Sequence, residues 1–411
     1  MVAENKLGNQ LVLDRMSQVT SFPAWVMNYG GMKGSPALQM ALAGLMQRTF
    51  VPKPTLDPQN MCILAGCSGI LDHLFFCLAD AAESILIPAP YYPAFDNDLE
   101  ATSSLIPLPF YLNEEEDIVA QLDRAATAAN NASQPVRALL ITNPNNPLGI
   151  IYNTETVRTM VRWCLENKIH YVSDEIYALS VYKNSIEDGN KSFVSALTIA
   201  HELAESGNFE QTDVDMFVHL IYGMSKDWCA SGLRVGLLYS KNAKLQQVGS
   251  HRLLRYTVSA LYLNSSSNLI IEILQALNSL APFSSISNHT QHVLSEVLSD
   301  KSWTANFISQ NTALLEASYD TLTENLTMAG IPFVSAQAGM FVWIDLRAWL
   351  PDTTWEGERS LWGRICNECK VILTPGESCH AREPGYFRLC FAWMPKESLQ
   401  EAVIRIKSNL S

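Results

Sequence analysis

The run Gly223-Met224-Ser225-Lys226-Asp227-Trp228-Cys229-Ala230-Ser231-Gly232-Leu233-Arg234-Val235-Gly236 follows an apolar stretch at 216–222, and its lysine is the residue to explain. A lysine at the end of a buried strand is unusual, because desolvation disfavours its charge. Held neutral, such an amine is a nucleophile toward a carbonyl and forms a Schiff base. Arg234, eight positions on and framed by Gly232 and Gly236, offers a fork of donors suited to a phosphate. Taken alone, these residues also read as a surface Ser-Lys-Asp turn. What the other strand ends carry decides between the two.

Working outward, Met61-Cys62-Ile63-Leu64-Ala65 reads as a buried strand that runs into Gly66-Cys67-Ser68-Gly69 and a helix over 70–82. A strand, a glycine-rich turn and a helix point backbone N–H groups at an anion, although an ordinary strand-to-helix turn has the same pattern. A second strand over 84–88 ends in Pro90-Tyr91-Tyr92-Pro93, where a tyrosine can stack on a flat ring. A third, 136–141, delivers Asn143-Pro144-Asn145-Asn146-Pro147-Leu148-Gly149, a loop stiffened by two Asn-Pro steps. After a helix over 154–166, the strand 169–173 is followed by Asp174-Glu175-Ile176-Tyr177. A loop over 183–191 and a helical segment over 194–206 lead to the lysine strand. Before all of these, Ser35 and Pro36 open a helix over 36–50 as cap and first-turn proline. An amphipathic stretch covers 10–16, and an exposed helix with an acidic start is expected over 113–130.

Downstream, a strand over 235–239 closes the sheet, and helical patterns follow over 242–280 and 301–329. Strands over 339–346, 371–376 and 383–392 come last, the third with a single arginine, Arg388, inside an apolar run. Alternating buried strands and helices imply a mostly parallel sheet covered on both faces. The grouped strands after a long helix imply a second, smaller α+β domain.

Composition narrows the class. The chain has 411 residues, 48% hydrophobic and 17% charged, enough for a large core. A net charge of -13 argues against nucleic acid as a partner. The first eight residues lack the apolar core of a signal peptide. No apolar run reaches about 18 residues, since the longest candidate, 61–92, is broken by Asp72, Asp80 and Glu83. A soluble, cytoplasmic protein is expected, in keeping with nine cysteines that lack disulfide-like spacing. Cys366-Asn367-Glu368-Cys369 is a lone CxxC on a helical pattern and is read as packing rather than as a metal or redox site; no metal is expected.

Four strand ends thus present an anion turn, a tyrosine pair, a rigid asparagine, and an aspartate with a tyrosine three residues on; a lysine and two arginines follow. That set meets the needs of pyridoxal 5′-phosphate: a lysine for the aldehyde, a carboxylate for the pyridine nitrogen and donors for the phenolic oxygen. Donors for the phosphate and an arginine for a substrate carboxylate complete it.

The chain resembles the fold-type I aminotransferase superfamily of class I and II, and within it the 1-aminocyclopropane-1-carboxylate synthase-like branch. The segments that carry the resemblance are Ala3-Glu4-Asn5-Lys6-Leu7, Pro90-Tyr91-Tyr92-Pro93-Ala94-Phe95-Asp96, Asn143 to Gly149 and Ser173-Asp174-Glu175-Ile176-Tyr177. Ser225-Lys226 through Arg234-Val235-Gly236, and Thr374-Pro375-Gly376 through Phe387-Arg388-Leu389-Cys390-Phe391-Ala392, complete the set. The resemblance implies that Lys226 carries the cofactor and moves the Cα proton, and that Asp174 pairs with the pyridine nitrogen. Asn146 and Tyr177 would bond the phenolic oxygen and Tyr92 would stack on the ring. Cys67, Ser68, Ser225 and Arg234 would hold the phosphate, Arg388 the substrate carboxylate, with Glu4 and Asn146 at the pocket's border.

It also implies an α/β fold with a mainly parallel seven-stranded sheet in a large domain, 25–287, and a smaller α+β domain from 1–24 and 288–411. The active sites of the family lie at a homodimer interface. Three positions depart from the pattern. Gly223 stands where many members have serine, Met32 where plant members of the branch have a tyrosine that crosses the interface, and Asn97 where they have arginine. Tyr29 is the available substitute for that tyrosine. Two reactions are expected: synthase-type chemistry on S-adenosylmethionine or a related amino acid, with loss or replacement of the γ-substituent, and transamination between an amino acid and a 2-oxo acid.

Overall fold

The computed structural model describes residues 3–113, 115–182, 192–242 and 280–410. Seven strands form the main sheet: β1 (Met61–Ala65), β2 (Ser84–Ala89), β3 (Ile106–Tyr111), β4 (Val136–Thr142), β5 (His170–Asp174), β6 (Val218–Gly223) and β7 (Val235–Tyr239). Their order is β1-β7-β6-β5-β4-β2-β3. Only β7 runs against its neighbours, pairing antiparallel with both β1 and β6. The carboxyl ends of β1, β2, β4, β5 and β6 therefore point the same way, so every polar cluster read from the sequence arrives on one edge.

Near-continuous burial along β4, β5 and β6 fits strands covered on both faces. One face carries Leu86, Leu139, Ile141, Tyr171 and Leu220 against the helices Thr154–Asn167 and Ala196–Glu205. The other carries Ile85, Ile87, Leu140 and Val172 against Leu71, Leu74 and Phe75.

Several boundaries differ from expectation, each for a local reason. The helix expected over 70–82 is Gly66–Leu78: it begins inside the glycine-rich turn because Gly66 takes φ +81 there, and stops before the Asp80–Glu83 turn. The helix expected over 113–130 begins only at Ile118, capped by Asp117, whose carboxylate accepts from the Ala120 N–H at 2.9 Å. Strand β3 has no counterpart in the sequence reading, because Pro107 and Pro109 disqualify it as a central strand. It is an edge strand, and two prolines two residues apart face their missing N–H groups away from β2. The short helix Gln211–Phe217 was also unforeseen. The calls over 183–191 and most of 242–280 lie outside the described residues.

The second sheet is antiparallel, in the order β10 (Thr374–Pro375), β11 (Tyr386–Cys390), β9 (Phe341–Asp345), β8 (Phe333–Val334). The strand expected over 371–376 shrinks to Thr374–Pro375. The CxxC lies in a single π-helical turn, Ile365–Cys369, and all nine cysteines are free thiols.

The 29-residue helix Lys301–Ala329 serves both cores. Asp300 caps it, accepting from the Trp303 N–H at 2.9 Å, and Gly330 ends it at φ +67. Its first turns stack Phe307 on Trp228 (5.0 Å between centroids), whereas Leu315, Tyr319, Leu322 and Leu326 pack with the smaller sheet. A division into 25–287 and 1–24 with 288–411 is proposed from the two sheets, with this helix as the shared member.

A histidine pair lies at the amino ends of β5 and β6. His170 Nδ1 is 2.9 Å from His219 Nε2, and His219 Nδ1 is 2.9 Å from Ser240 Oγ. Burial lowers both rings' affinity for a second proton, His170 from 6.5 to about 4 and His219 well below its usual value. Between those two pH values the unfolded chain binds a proton that the folded chain refuses. Stability contributed by neutral His170 is therefore lost as pH falls from 6.5 toward 4, by about 3 kcal/mol. Denaturant unfolding across this range should show a flatter pH dependence in His170→Gln than in the parent, and parallel curves would refute the assignment.

Candidate active site

Residues between Cys67 and Arg234 line a cleft of about 240 Å³ at the carboxyl edge of the main sheet, among them Ser68, Tyr92, Asp98, Asn146 and Asp174. Tyr177, Ser225, Lys226, Ser231 and Arg234 complete its wall. Sequence positions 160 residues apart meet here because parallel strands deliver their carboxyl ends to one side.

Lys226 sits in the turn after β6, buried, and its Nζ donates to the Ala3 carbonyl. Burial lowers its proton affinity, and the Arg388 guanidinium lowers it further; Cys390, Cys67 and Glu4 act the other way. Asp174 ends β5 and accepts from the Ile176 N–H at 3.3 Å. Burial pushes its carboxyl up to about 7, opposed by that bond and by Lys226. Asn146 Nδ2 donates to the Tyr177 hydroxyl at 3.4 Å. Burial raises the Tyr177 and Tyr92 phenols, so both are neutral donors at ordinary pH.

The helix Gly66–Leu78 aims its amino end into the cleft with no side-chain cap on its first N–H groups. Arg234 lies against that end: a Cβ on Gly66 would fall 2.4 Å from Arg234 Nη2. Gly66 thus leaves the space in which a guanidinium and free N–H groups converge, the donor set an anion requires.

Gly223, the departure from the serine pattern, has a local cause. A Cβ there would meet Cys67 Sγ at 2.8 Å and the Val235 carbonyl at 3.0 Å. The Cys67 thiol fills that space, and its Sγ bonds the Tyr222 carbonyl at 3.4 Å. Gly223→Ser is expected to destabilise by about 1–3 kcal/mol through overpacking, and Cys67→Ala should recover part of the loss in the double variant. Thermal unfolding of the three variants checks this; an additive double variant would show that the two positions are independent.

Arg388, on β11, is 3% exposed and lies behind Asn146. Its Nη1 donates to Asn146 Oδ1 at 2.8 Å and its Nη2 to Thr374 Oγ1 at 3.1 Å, with the guanidinium 4.7 Å from the Phe341 ring centroid. Among the described residues no carboxylate pairs with it. A buried guanidinium held only by neutral groups is set to receive an anion.

Glu4 lies at the wall: Ser231 Oγ donates to its carboxylate at 2.5 Å. Tyr29 is not brought to the cleft of its own chain and is 97% exposed. Ser231, Thr374 and Asp98 escaped the sequence reading. The signal for Asp98 was available, since Tyr92, Phe95 and Asp98 recur at intervals of three along one face. A further contact joins the two sheets beside the cleft. His380 Nε2 meets Asp96 Oδ2 at 2.7 Å, Tyr91 donates to Asp96 Oδ1 at 2.6 Å, and the Tyr91 and His380 rings stack at 4.5 Å. It fixes the loop that carries Tyr92. Among the described residues no cluster of His, Cys, Asp and Glu is placed to hold a metal.

These features define a pyridoxal-phosphate enzyme, and the chain belongs to the aminotransferase class I and II family, whose model matches residues 17–406. Within it the chain falls in the 1-aminocyclopropane-1-carboxylate synthase-like branch. It is 34% identical to 1-aminocyclopropane-1-carboxylate synthase 11 of Arabidopsis thaliana over 377 residues, 91% of this chain and 73% of that one. It is 32% identical to the 1-aminocyclopropane-1-carboxylate synthase of Malus domestica, covering 91% and 72%. The fold matches a Thermus thermophilus aspartate aminotransferase mutant with a TM-score of 0.72 at 20% identity, covering 99% of this chain and 93% of that one. It also matches the aromatic aminotransferase of Pyrococcus horikoshii OT3, at 0.72 and 17%, covering 99% and 94%.

Proposed function

We propose that the protein acts on S-adenosylmethionine or a related amino acid with a leaving group at Cγ, by synthase-type chemistry. The observation that carries this reading is the pairing of a buried Arg388, free of any carboxylate among the described residues, with Lys226 and with Glu4 held at the wall by Ser231. An amino acid whose α-carboxylate meets Arg388 places its Cα proton toward Lys226, and Glu4 leaves a negative charge for a cationic side chain such as a sulfonium. Bound pyridoxal phosphate supplies the electron sink that acidifies Cα and the aldehyde that Lys226 engages.

The chain's own residues do the rest. Lys226, its charge disfavoured by burial, takes the Cα proton on Nζ. Asp174 would hold a proton on the ring nitrogen, a cation that would favour its ionised form against the burial that raises it to about 7. Asn146 and Tyr177 donate to the phenolic oxygen, and Tyr92 stacks on the ring. Arg234, Ser225 and the backbone N–H groups at Cys67 and Ser68 would hold the phosphate.

A homodimer is part of the proposal. Tyr29 and Met27, 97% and 88% exposed, lie on a segment tied down by Asn288 and His292, where a second copy would cover them. Tyr29 would then enter the partner's cleft. No described helix is long and apolar enough to cross a membrane, and the free thiols suit the cytoplasm, the proposed location.

Product analysis by mass spectrometry tests the reading. The loaded protein is incubated with S-adenosylmethionine, and separately with amino acids plus 2-oxoglutarate or pyruvate. Methylthioadenosine is expected from the first, and its co-product reports whether a ring closed. New amino and keto acids without methylthioadenosine would overturn the synthase reading in favour of a transaminase.

A further inference from the structure

Asp98 is a carboxyl group in the cleft to which none of the roles above has been given. It sits on the helix Ala94–Glu100, two turns beyond the position of Tyr92, and shares the cleft wall with Tyr92 and Phe95. Ser68, in the first turn of the helix Gly66–Leu78, hydrogen-bonds its carboxyl through the side chain. Its other oxygen, Oδ2, is fully buried and has no hydrogen-bond partner. A buried acceptor left unmade costs on the order of 1–3 kcal/mol, more when charged, so such an atom inside a binding cleft points to a donor that the ligand or its water brings.

The surroundings say which end of the ligand is concerned. The groups that feel Asp98 are Asp174, Tyr92 and Cys67, and Asp72 faces it from one helical turn beyond Ser68. Neither Lys226 nor Arg234 is among the groups that act on its carboxyl. Asp98 shares the cleft wall with Asp174, whose proton affinity it raises. Burial raises it to about 6, opposed by Ser68 and assisted by Asp72. Asp98 and Asp174 are thus a pair of carboxyls on one cleft wall, the first opposing the ionisation of the second while Lys226 favours it.

We infer that Asp98 is a positioning residue of the cofactor site: a second carboxylate, held by Ser68, which together with Asp174 sets the negative field at the pyridine-nitrogen end of the cleft. A protonated ring nitrogen is a cation that this field would favour. Asp174 meets it directly, while Asp98 adds charge from the adjoining helix and gives its free oxygen to ordered water in the filled cleft. The inference rests on the placement of the cofactor proposed above.

The test uses the full-length protein and pyridoxal 5′-phosphate as the probe, with Asp98→Asn and Asp98→Glu beside the parent. Asn keeps the shape and removes the charge, so it is expected to fold. Two quantities are read: the dissociation constant of the cofactor, and the pH midpoint of the visible absorbance of the bound cofactor. Asp98→Asn removes one negative charge from the wall that would face the ring cation, so it should weaken binding on the order of tenfold. The spectral midpoint should move to lower pH, because removing a negative charge makes nearby protons easier to lose. Asp98→Glu, which keeps the charge, should restore the midpoint toward the parent; a merely structural role would not distinguish the two variants in this way. Parent-like binding and titration in Asp98→Asn would overturn the inference alone. A parent protein that retains no cofactor would overturn the site assignment and the inference together.

Discussion

Lys226→Ala is expected to abolish turnover, lowering it by about 10⁴-fold or more, and to leave no cofactor covalently trapped on the chain after borohydride reduction. Two effects combine. Among the described residues the side chain is the one amine lining the cleft, so both the covalent attachment and the acceptor for the Cα proton would disappear. The fold should tolerate the change, because Lys226 Nζ donates only to the Ala3 carbonyl and removal of a buried amine leaves no unpaired charge. Mass spectrometry of reduced, digested protein locates any adduct. A reduced adduct on another lysine, or turnover within tenfold of the parent, would remove Lys226 from its assigned place.

The second large effect is expected at Arg388. Arg388→Ala should lower kcat/KM by about 10²–10³-fold, since losing one partner of a buried charge pair costs about 3–5 kcal/mol. Most of the change should appear in KM if the guanidinium binds substrate and transition state alike. Arg388→Lys should recover only part, because one ammonium cannot reproduce a fork that now reaches both Asn146 and Thr374. Cofactor affinity should move far less than substrate affinity. Steady-state kinetics with a cofactor titration separates the two, and an Arg388→Ala variant within threefold of the parent would place the carboxylate elsewhere.

What the sequence disclosed and what it withheld follow from the range of the interactions. Strand-to-turn punctuation is local, so the ends of β1, β4, β5 and β6 were legible, and with them Ser68, Asn146, Asp174 and Lys226. Gly66 was legible as a turn residue, yet the space it leaves is taken up by Arg234, 168 positions away in the chain. The edge strand β3 was hidden because its two prolines are acceptable only where a neighbour is missing, and that is a property of the sheet. Arg388 stood out as a charge inside an apolar run; that its partners among the described residues, Asn146 and Thr374, are neutral required the packing of both sheets. Tyr29 marks the other boundary of legibility. Its proposed place in a cleft would depend on a second copy, and a single chain leaves it in solvent.

The amino-terminal contact carries a practical consequence. Ala3 bonds the amine of Lys226 through its carbonyl, and Glu4 is gripped by Ser231. A purification tag or fluorescent fusion joined ahead of residue 3 would therefore begin beside the amine of Lys226 and crowd the cleft wall. The carboxyl-terminal helix Lys396–Leu410 contributes no residue to the cleft wall, so affinity handles and fusion partners belong at that end.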